Sequence, residues 1–341
     1  MYINPCILYT VIVMQRISKQ IYTKITQARH VMLVPHKNPD GDALGSVTVL
    51  IHWLRKLNIE HTAYCATDIS GKHSYLPHLD KLSQNESVWN EPKFDVMIVL
   101  DSGDLKHAGV DAQIKKLSIR PFIINIDHHA TNEHYGDLNL VITEASSTTE
   151  IIYKLFKHNN VLIDNHMATC LLTGILTDTD NFTNSATTMH SLQIASELIG
   201  KGGNINLIKE LIFKNKSIGV LKLWGAVLSR LAKHDTHEIV YSYVTQKDLA
   251  EHKVDESDLE GITNFMNNLS EGKAALILKE LPEGKVKGSF RATRDDMDVS
   301  AIAKALGGGG HKKAAGFTVS GSIDEALKKI WEVIKNLEDK N

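Results

Sequence analysis

The chain has 341 residues, 43% of them hydrophobic, and a formal net charge of −2, which is enough apolar material for about two domains with separate cores. The near-neutral balance excludes a global field that would draw the protein to long duplex nucleic acid or to an anionic membrane, so any polyanion must be met locally. Three cysteines, Cys6, Cys65 and Cys170, share no metal-ligand spacing and are too few for a disulfide framework, so they read as reduced thiols of a cytoplasmic protein.

In chain order, the apolar residues 6–14 fall well short of the roughly 20 that a spanning helix needs. They also lack the basic start and small-residue cleavage site of a secretory signal, so no membrane partner is expected and Met14 is read as the start of the domain proper. Residues 31–34, 96–100 and 122–126 are continuous apolar runs of strand length, suited to parallel strands buried on both faces. Helical patterns lie between them. A right-handed βαβ succession is therefore expected, with ligands gathering beyond the carboxyl ends of the strands. Helices are expected over 146–158, opened by a Ser/Thr run with Glu150 in the first turn, then over 166–177 and 190–199, the last closing at a left-handed glycine cap in 200–203. An amphipathic stretch over 205–233 with little turn chemistry reads as a long helix or a helical pair that links the two domains. Beyond it, strands over 238–244, 274–278, 286–293 and 315–319 alternate with helices over 256–269, 299–306 and 323–337, the pattern of a compact α+β domain.

Four short segments recur where hydrophobic elements stop: His36-Lys-Asn-Pro-Asp40-Gly-Asp42, Asp101-Ser-Gly-Asp104, Asp127-His128-His129 and Gly174-Ile-Leu-Thr-Asp178-Thr179. The first places an imidazole and two carboxylates within one turn after a strand, with Pro39 and Gly41 bending the backbone between them. His36 and Asp40 can hold one cation, while Asp42 points the other way and can serve a second. Asp101, at the neighbouring strand end, is positioned to bridge both, and His128 with Asp178 completes the second shell of donors. Hard oxygens with two imidazoles and no thiolate point to manganese before magnesium, cobalt or iron, and away from structural zinc. Two such ions roughly 3.5–4 Å apart can hold a hydroxide, align it with phosphorus and neutralise the leaving oxygen. A single Asp at a strand end is more often a turn or cap residue, and capping is the expected role of Asp104 and Asp180. Of the 17 histidines, those outside the motifs, including His73, His78 and His107, read as ordinary surface or core residues. Trp53, Trp89 and Trp224 read as core. Asn38 either shapes the first turn or touches the bridging water.

With all four motifs in order, the chain resembles the DHH phosphoesterases, a family named for the Asp127-His128-His129 signature. The resemblance implies the same six ligands, His36, Asp40, Asp42, Asp101, His128 and Asp178, with Asp101 bridging. It further implies that His129 faces the scissile phosphate as a catalytic group and that Asp127 orients the histidines rather than binding metal. In the second half, Ser289-Phe-Arg291 followed by Gly307-Gly-Gly-Gly-His311-Lys-Lys-Ala-Ala-Gly316-Phe317 resembles the DHH-associated domain of the first type. Arg291 can grip a phosphate with two parallel hydrogen bonds, Gly309 and Gly310 let backbone approach it, and His311 adds a donor. Alone, the glycine run reads equally as a flexible turn and Lys312 and Lys313 equally as a solvated face; Arg291 and His311 beside the run favour phosphate binding. Between Lys285 and Lys313, seven Lys and Arg stand against three Asp, a local basic patch that the whole chain lacks.

The reading is therefore an α/β protein with a parallel-sheet DHH domain over 15–204, a helical linker over 205–233 and a smaller mixed α+β domain over 234–341, the active site lying in the cleft between the domains. The resemblance, spanning about 25–319, falls in the bacterial oligoribonuclease and phosphoadenosine phosphatase branch. It implies a manganese-dependent exonuclease acting on short single-stranded RNA, about two to five nucleotides, because a protein without an extended basic groove gains little from further phosphates. Phosphoadenosine phosphate is a second implied substrate, with Asn38, His129, Ser289, Arg291, Gly309, Gly310 and His311 contacting the substrate. Some members of the family pair, so a homodimer is an allowed assembly. The alternatives, in descending order, are hydrolysis of linear or cyclic dinucleotides, a pyrophosphatase or exopolyphosphatase, and a non-catalytic nucleotide-binding module.

Overall fold

The structure, a computed structural model, describes residues 5–69, 71–90, 93–213, 217–254, 262, 265, 266, 269, 271–294 and 296–339, with the backbone alone over 5–12. The helix expected over 256–269 lies largely outside the described residues. The chain divides into two compact units, Met1–Lys214 and Asn215–Asn341.

The first unit is built on six parallel strands, β1 (His30–Pro35), β2 (Glu60–Tyr64), β3 (Leu82–Ser83), β4 (Val96–Leu100), β5 (Phe122–Asp127) and β6 (Leu138–Val141), in the order β3-β2-β1-β4-β5-β6. Alternation along the strands feeds two cores. Val31, Leu33, Val96, Ile98 and Leu100 enter one, while Met32, Val34, Met97 and Val99 enter the other, so each run must be apolar throughout. In this sheet the strand order reverses between β1 and β4, whose ends are in register at Pro35 and Leu100. That reversal opens a crevice at the carboxyl ends of the strands.

Helix α1 (Pro5–Thr26) runs unbroken through Met14, and Met14, Ile17, Ile21, Tyr22 and Ile25 pack on the core. Among the described residues no helix is long and apolar enough to cross a membrane. Helix α2 (Gly41–Lys56) follows β1, α3 (Asp111–Lys116) lies between β4 and β5, and α4 (Thr148–His158), α5 (Asn165–Asp178) and α6 (Met189–Gly200) follow β6. Asp178 is the last residue of α5 rather than a residue beyond it. Ser147 caps α4 by accepting from the Glu150 amide, and Glu150 returns the favour to Ser146, which fixes where that helix starts. Trp53 is buried against Phe156, and Trp89 packs edge-on against Tyr64 and Phe94.

The stretch expected as a linker is not one element. Helix α7 (Ile205–Ile208) and a π-turn (Lys209–Phe213) end the first unit, with Ile208 in its core, whereas α8 (Ile218–Ser229) buries Val220, Leu223 and Val227 in the second.

The second unit carries β7 (Ala232–His234), β8 (Ile239–Val244), α9 (Gln246–His252), β9 (Ala274–Leu281), β10 (Lys285–Ala292), α10 (Val299–Ala305), β11 (Gly309–His311), β12 (Ala314–Ser320) and α11 (Ile323–Glu338). Its sheet has the order β11-β12-β10-β9-β8-β7 and is mixed, parallel only between β8 and β9. The alternation of β10 puts Val286 and Phe290 into the core and Lys285, Lys287, Ser289 and Arg291 on the opposite face.

Candidate metal centre and a basic sheet face

His36 follows β1 directly. Its Nδ1 donates to the Lys37 carbonyl at 2.8 Å, which leaves Nε2 as the free acceptor, 3.5 Å from Asp101 Oδ2 and 3.8 Å from Asp40 Oδ1. The chain turns at Asn38, a left-handed residue with φ 53° whose backbone amide donates to Thr67 Oγ1; its side chain is exposed. Asp40 then caps α2, Oδ1 accepting from the amides of Asp42 and Ala43.

Asp101 is the first residue past β4, 2% exposed and left-handed at φ 57°. Such a conformation costs a non-glycine residue about 1–3 kcal/mol and persists only where the surroundings impose it. Its two oxygens face different ways. Oδ2 lies toward His36, whereas Oδ1 lies 3.6 Å from His128 Nε2 and accepts from Thr148 Oγ1 at 2.9 Å. His128 Nε2 is in turn 3.3 Å from Asp178 Oδ2, at the end of α5.

Asp42 is fully buried, and both its oxygens accept backbone amides at the start of α4, Oδ2 from Thr148 at 2.6 Å and Oδ1 from Thr149 at 2.9 Å. A helix N-terminus is the natural holder of a buried carboxylate. Gly174 makes the approach feasible: a Cβ there would stand 2.1 Å from Asp42 Oδ1 and 2.3 Å from Thr149 Oγ1. The sequence signal for the Thr148–Thr149 clamp was present in the Ser/Thr run, but there it is indistinguishable from ordinary capping.

Three sets of donors thus converge, each with its ligand atoms within 4.8 Å of one another: His36, Asp40 and Asp101; Asp42, His128 and Asp178; Asp101, His128 and His129. All six residues expected as ligands fall in the first two sets together with Asp101. The electrostatics calls for cations. Burial, and then the carboxylates of Asp101 and Asp40, push Asp42 well above the usual range; burial and then Asp42 and Asp101 do the same to Asp178. For His36, burial is outweighed by Asp101 and Asp40, and its pKa rises to about 11. Divalent ions bound there would relieve this repulsion, and their binding would be coupled to proton release. The oxygen-rich donors with two imidazoles fit such ions.

Asp127 stands behind this cluster, fully buried. Oδ1 accepts from the His128 amide at 2.8 Å and from His129 Nδ1 at 2.7 Å, and Oδ2 accepts from Asn132 Nδ2 at 2.6 Å. It belongs to none of the three sets, and both its oxygens are taken by these donors. With its carboxylate as the largest cause, and burial opposing, His129 rises to about 9 and keeps a proton near neutrality, with Nε2 left free. Asp104 caps a turn, accepting from the amides of Lys106 and His107. His107, taken from sequence as an ordinary residue, lies against His36 with ring centroids 5.0 Å apart.

In the second unit, sheet register gathers the other expected residues. Gly309, Gly316 and Ser289 form one row across β11, β12 and β10, and His311, Ala314 and Arg291 form the next. Small residues in the middle strand leave a shallow face between Arg291 and His311. Gly310 lies on the reverse side with φ 140°, and a Cβ there would come within 2.5 Å of the Ala314 carbonyl oxygen and Ala315 Cα. The second half of the glycine run, Gly309 and Gly310, is therefore part of an edge strand, while Gly307 lies in a turn. Among the described residues, the Arg291 guanidinium donates to the Phe290 carbonyl and pairs with no carboxylate, and burial lowers its pKa. His311, Lys312 and Lys313 are exposed.

Comparison with known proteins supplies the family context. The model of the DHH family N-terminal domain matches residues 30–175, and that of the DHHA1 domain matches 236–336. The bifunctional oligoribonuclease and PAP phosphatase NrnA of Thermus thermophilus is 32% identical over 89% of this chain and 89% of its own length. The cyclic-di-AMP phosphodiesterase GdpP of Bacillus subtilis is 25% identical over 93% of this chain but only 49% of its own. Among solved structures, an exopolyphosphatase-related protein of Bacteroides fragilis superposes with a TM-score of 0.86 over 94% of this chain and 96% of that one, at 24% identity, a likeness of fold.

Gly174→Ala should expel Asp42 from its place and weaken divalent-cation binding at least tenfold in equilibrium dialysis, while the circular dichroism spectrum stays native. Unchanged binding would mean that Asp42 is not a ligand.

Proposed function

The chain belongs to the DHH family of phosphoesterases, and on that premise we propose that it is a manganese-dependent hydrolase that removes nucleotides from short oligoribonucleotides and the phosphate from phosphoadenosine phosphate. The observation that carries the reading is Asp101, whose two oxygens face the two donor sets separately, as a ligand shared by two ions requires. The similarity to the Thermus thermophilus enzyme over nearly the full chain favours this substrate class.

His36, Asp40, Asp42, Asp101, His128 and Asp178 would hold the pair of ions, which would supply an activated water and offset the charge of the phosphate. The residues of the chain do the rest. Asp127 fixes the His129 tautomer so that the proton shared with it sits on Nδ1 and a second proton, held by the raised pKa, sits on Nε2. From Nε2 that proton passes to the leaving oxygen as the phosphorus–oxygen bond breaks and water's oxygen bonds to phosphorus, the proton that the water gives up passing to solvent. The Thr148 and Thr149 amides hold Asp42 in place. In the second unit Arg291, with Ser289, Gly309 and His311 in neighbouring register, binds a non-reacting phosphate of the substrate. Substrates are short, because a net charge of −2 provides no extended field for more phosphates. A second reading, hydrolysis of linear or cyclic dinucleotides, is favoured by the match to the cyclic-di-AMP phosphodiesterase across 93% of this chain.

Purified protein with manganese is given a labelled diribonucleotide, phosphoadenosine phosphate, a linear dinucleotide derived from cyclic di-AMP, cyclic di-AMP itself and pyrophosphate. The diribonucleotide should show the highest kcat/KM and pyrophosphate none; preference for cyclic di-AMP would support the second reading, and no turnover of any would overturn both. Arg291→Ala should raise KM about 10- to 100-fold with kcat little changed, the cost of a lost charge-assisted hydrogen bond; a fall in kcat alone would contradict the binding role. For pH, the raised His129 pKa keeps the acid protonated until about 9, so the rate should fall above that value. Asp127→Asn removes the main cause of the rise and should bring that limb down toward 6.5; a profile that does not move would exclude His129 as the acid.

A further inference from the structure

His36 is tethered at one end only. Its Nδ1 donates to the Lys37 carbonyl at 2.8 Å, yet a single hydrogen bond leaves the ring plane free to tilt about that contact, carrying the Nε2 lone pair off its target. A second imidazole adds a constraint on the ring plane. His107 lies parallel to His36, centroids 5.0 Å apart and planes within 9°, and covers one face of the ring.

His107 is itself well anchored. Its amide donates to Asp104 Oδ1 at 2.7 Å, and its carbonyl accepts from the Lys37 amide at 3.0 Å, which ties its backbone to the residue next to His36. Ser102 Oγ donates to the Asp104 carbonyl at 2.9 Å and so is free to accept from His107 Nδ1, 3.4 Å away. Backbone and ring are thus both held from the segment that follows Asp101. His107 belongs to none of the donor sets, so it acts on a ligand without being one.

We propose that His107 is a positioning residue for the metal centre: its ring stacks on His36 and holds Nε2 on the line that Asp40 and Asp101 share. The proposal rests on the reading of His36 as a ligand. Stacking couples the two loops that follow β1 and β4, so that His36 and Asp101 arrive at the ion as one preorganised pair. Partners behind a metal-bound histidine are worth about 10- to 100-fold in affinity or activity. What the arrangement uses is the flat aromatic face, so a phenyl ring should replace it.

The test is manganese titration of the full chain, followed by the electron paramagnetic resonance signal of the free ion, which needs no turnover. His107→Ala should weaken the ion held by His36 about tenfold and leave the other unchanged. His107→Phe should bind within about threefold of the wild type. In parallel, with a substrate the wild type turns over, the alanine variant should need about tenfold more manganese for half-maximal rate while KM for substrate at saturating metal stays the same. Thermal melting in chelator controls for folding. An alanine variant with wild-type affinity overturns the proposal, and so does a phenylalanine variant as weak as alanine, which would mean that the ring nitrogens, not the face, do the work. Should the wild type bind two ions but turn over no substrate, the functional reading fails while the positioning role is still decided by the titration.

Discussion

The site is governed by the mutual repulsion of four carboxylates. Asp40, Asp42, Asp101 and Asp178 are brought to one end of a parallel sheet, and Asp42 and Asp101 are almost wholly removed from water. Left alone, such a cluster would protonate or fly apart. It is held by devices that each have a structural cost: two helix amides on Asp42, a hydroxyl on Asp101, a left-handed backbone at Asp101, and a glycine at 174 that lets α5 come close enough. A fold carries that much unfavourable charge and strain where cations are meant to neutralise it.

The two units position their candidate residues by different means. In the first, strand order does the positioning, since the reversal between β1 and β4 sends His36 and Asp101 out side by side from strands in register. In the second, antiparallel register does it, lining Arg291 up with His311 and Ser289 with Gly309 across a middle strand of small residues. The first arrangement suits small hard cations; the second leaves a half-buried guanidinium that has no carboxylate partner among the described residues, which suits an anion.

Much of this was legible in sequence because the chemistry sits where periodicity breaks. The apolar runs ending at His36, Asp101 and Asp127 declare both the buried strands and their tips. The residues behind the ligands were harder to see. Thr148 and Thr149 look like any Ser/Thr opening of a helix until Asp42, more than a hundred residues earlier in the chain, is placed against them. His107 looks like one histidine among many, since stacking on His36 depends on the turn set by Asp104. The glycine run reads as a loop, yet its second half pairs as part of an edge strand, because β-pairing of so short a segment is decided by its partner rather than by its own propensity. The stretch 205–233 shows one amphipathic pattern but serves two cores, a division that periodicity alone does not reveal.

The central claim is that the carboxylates and imidazoles cage a pair of ions with Asp101 between them. Crystals soaked in manganese, measured for anomalous scattering, test it most directly. Two peaks are predicted, about 3.5–4 Å apart, one among His36, Asp40 and Asp101 and the other among Asp42, Asp101, His128 and Asp178. A single peak, or two with Asp101 touching only one, would contradict the account.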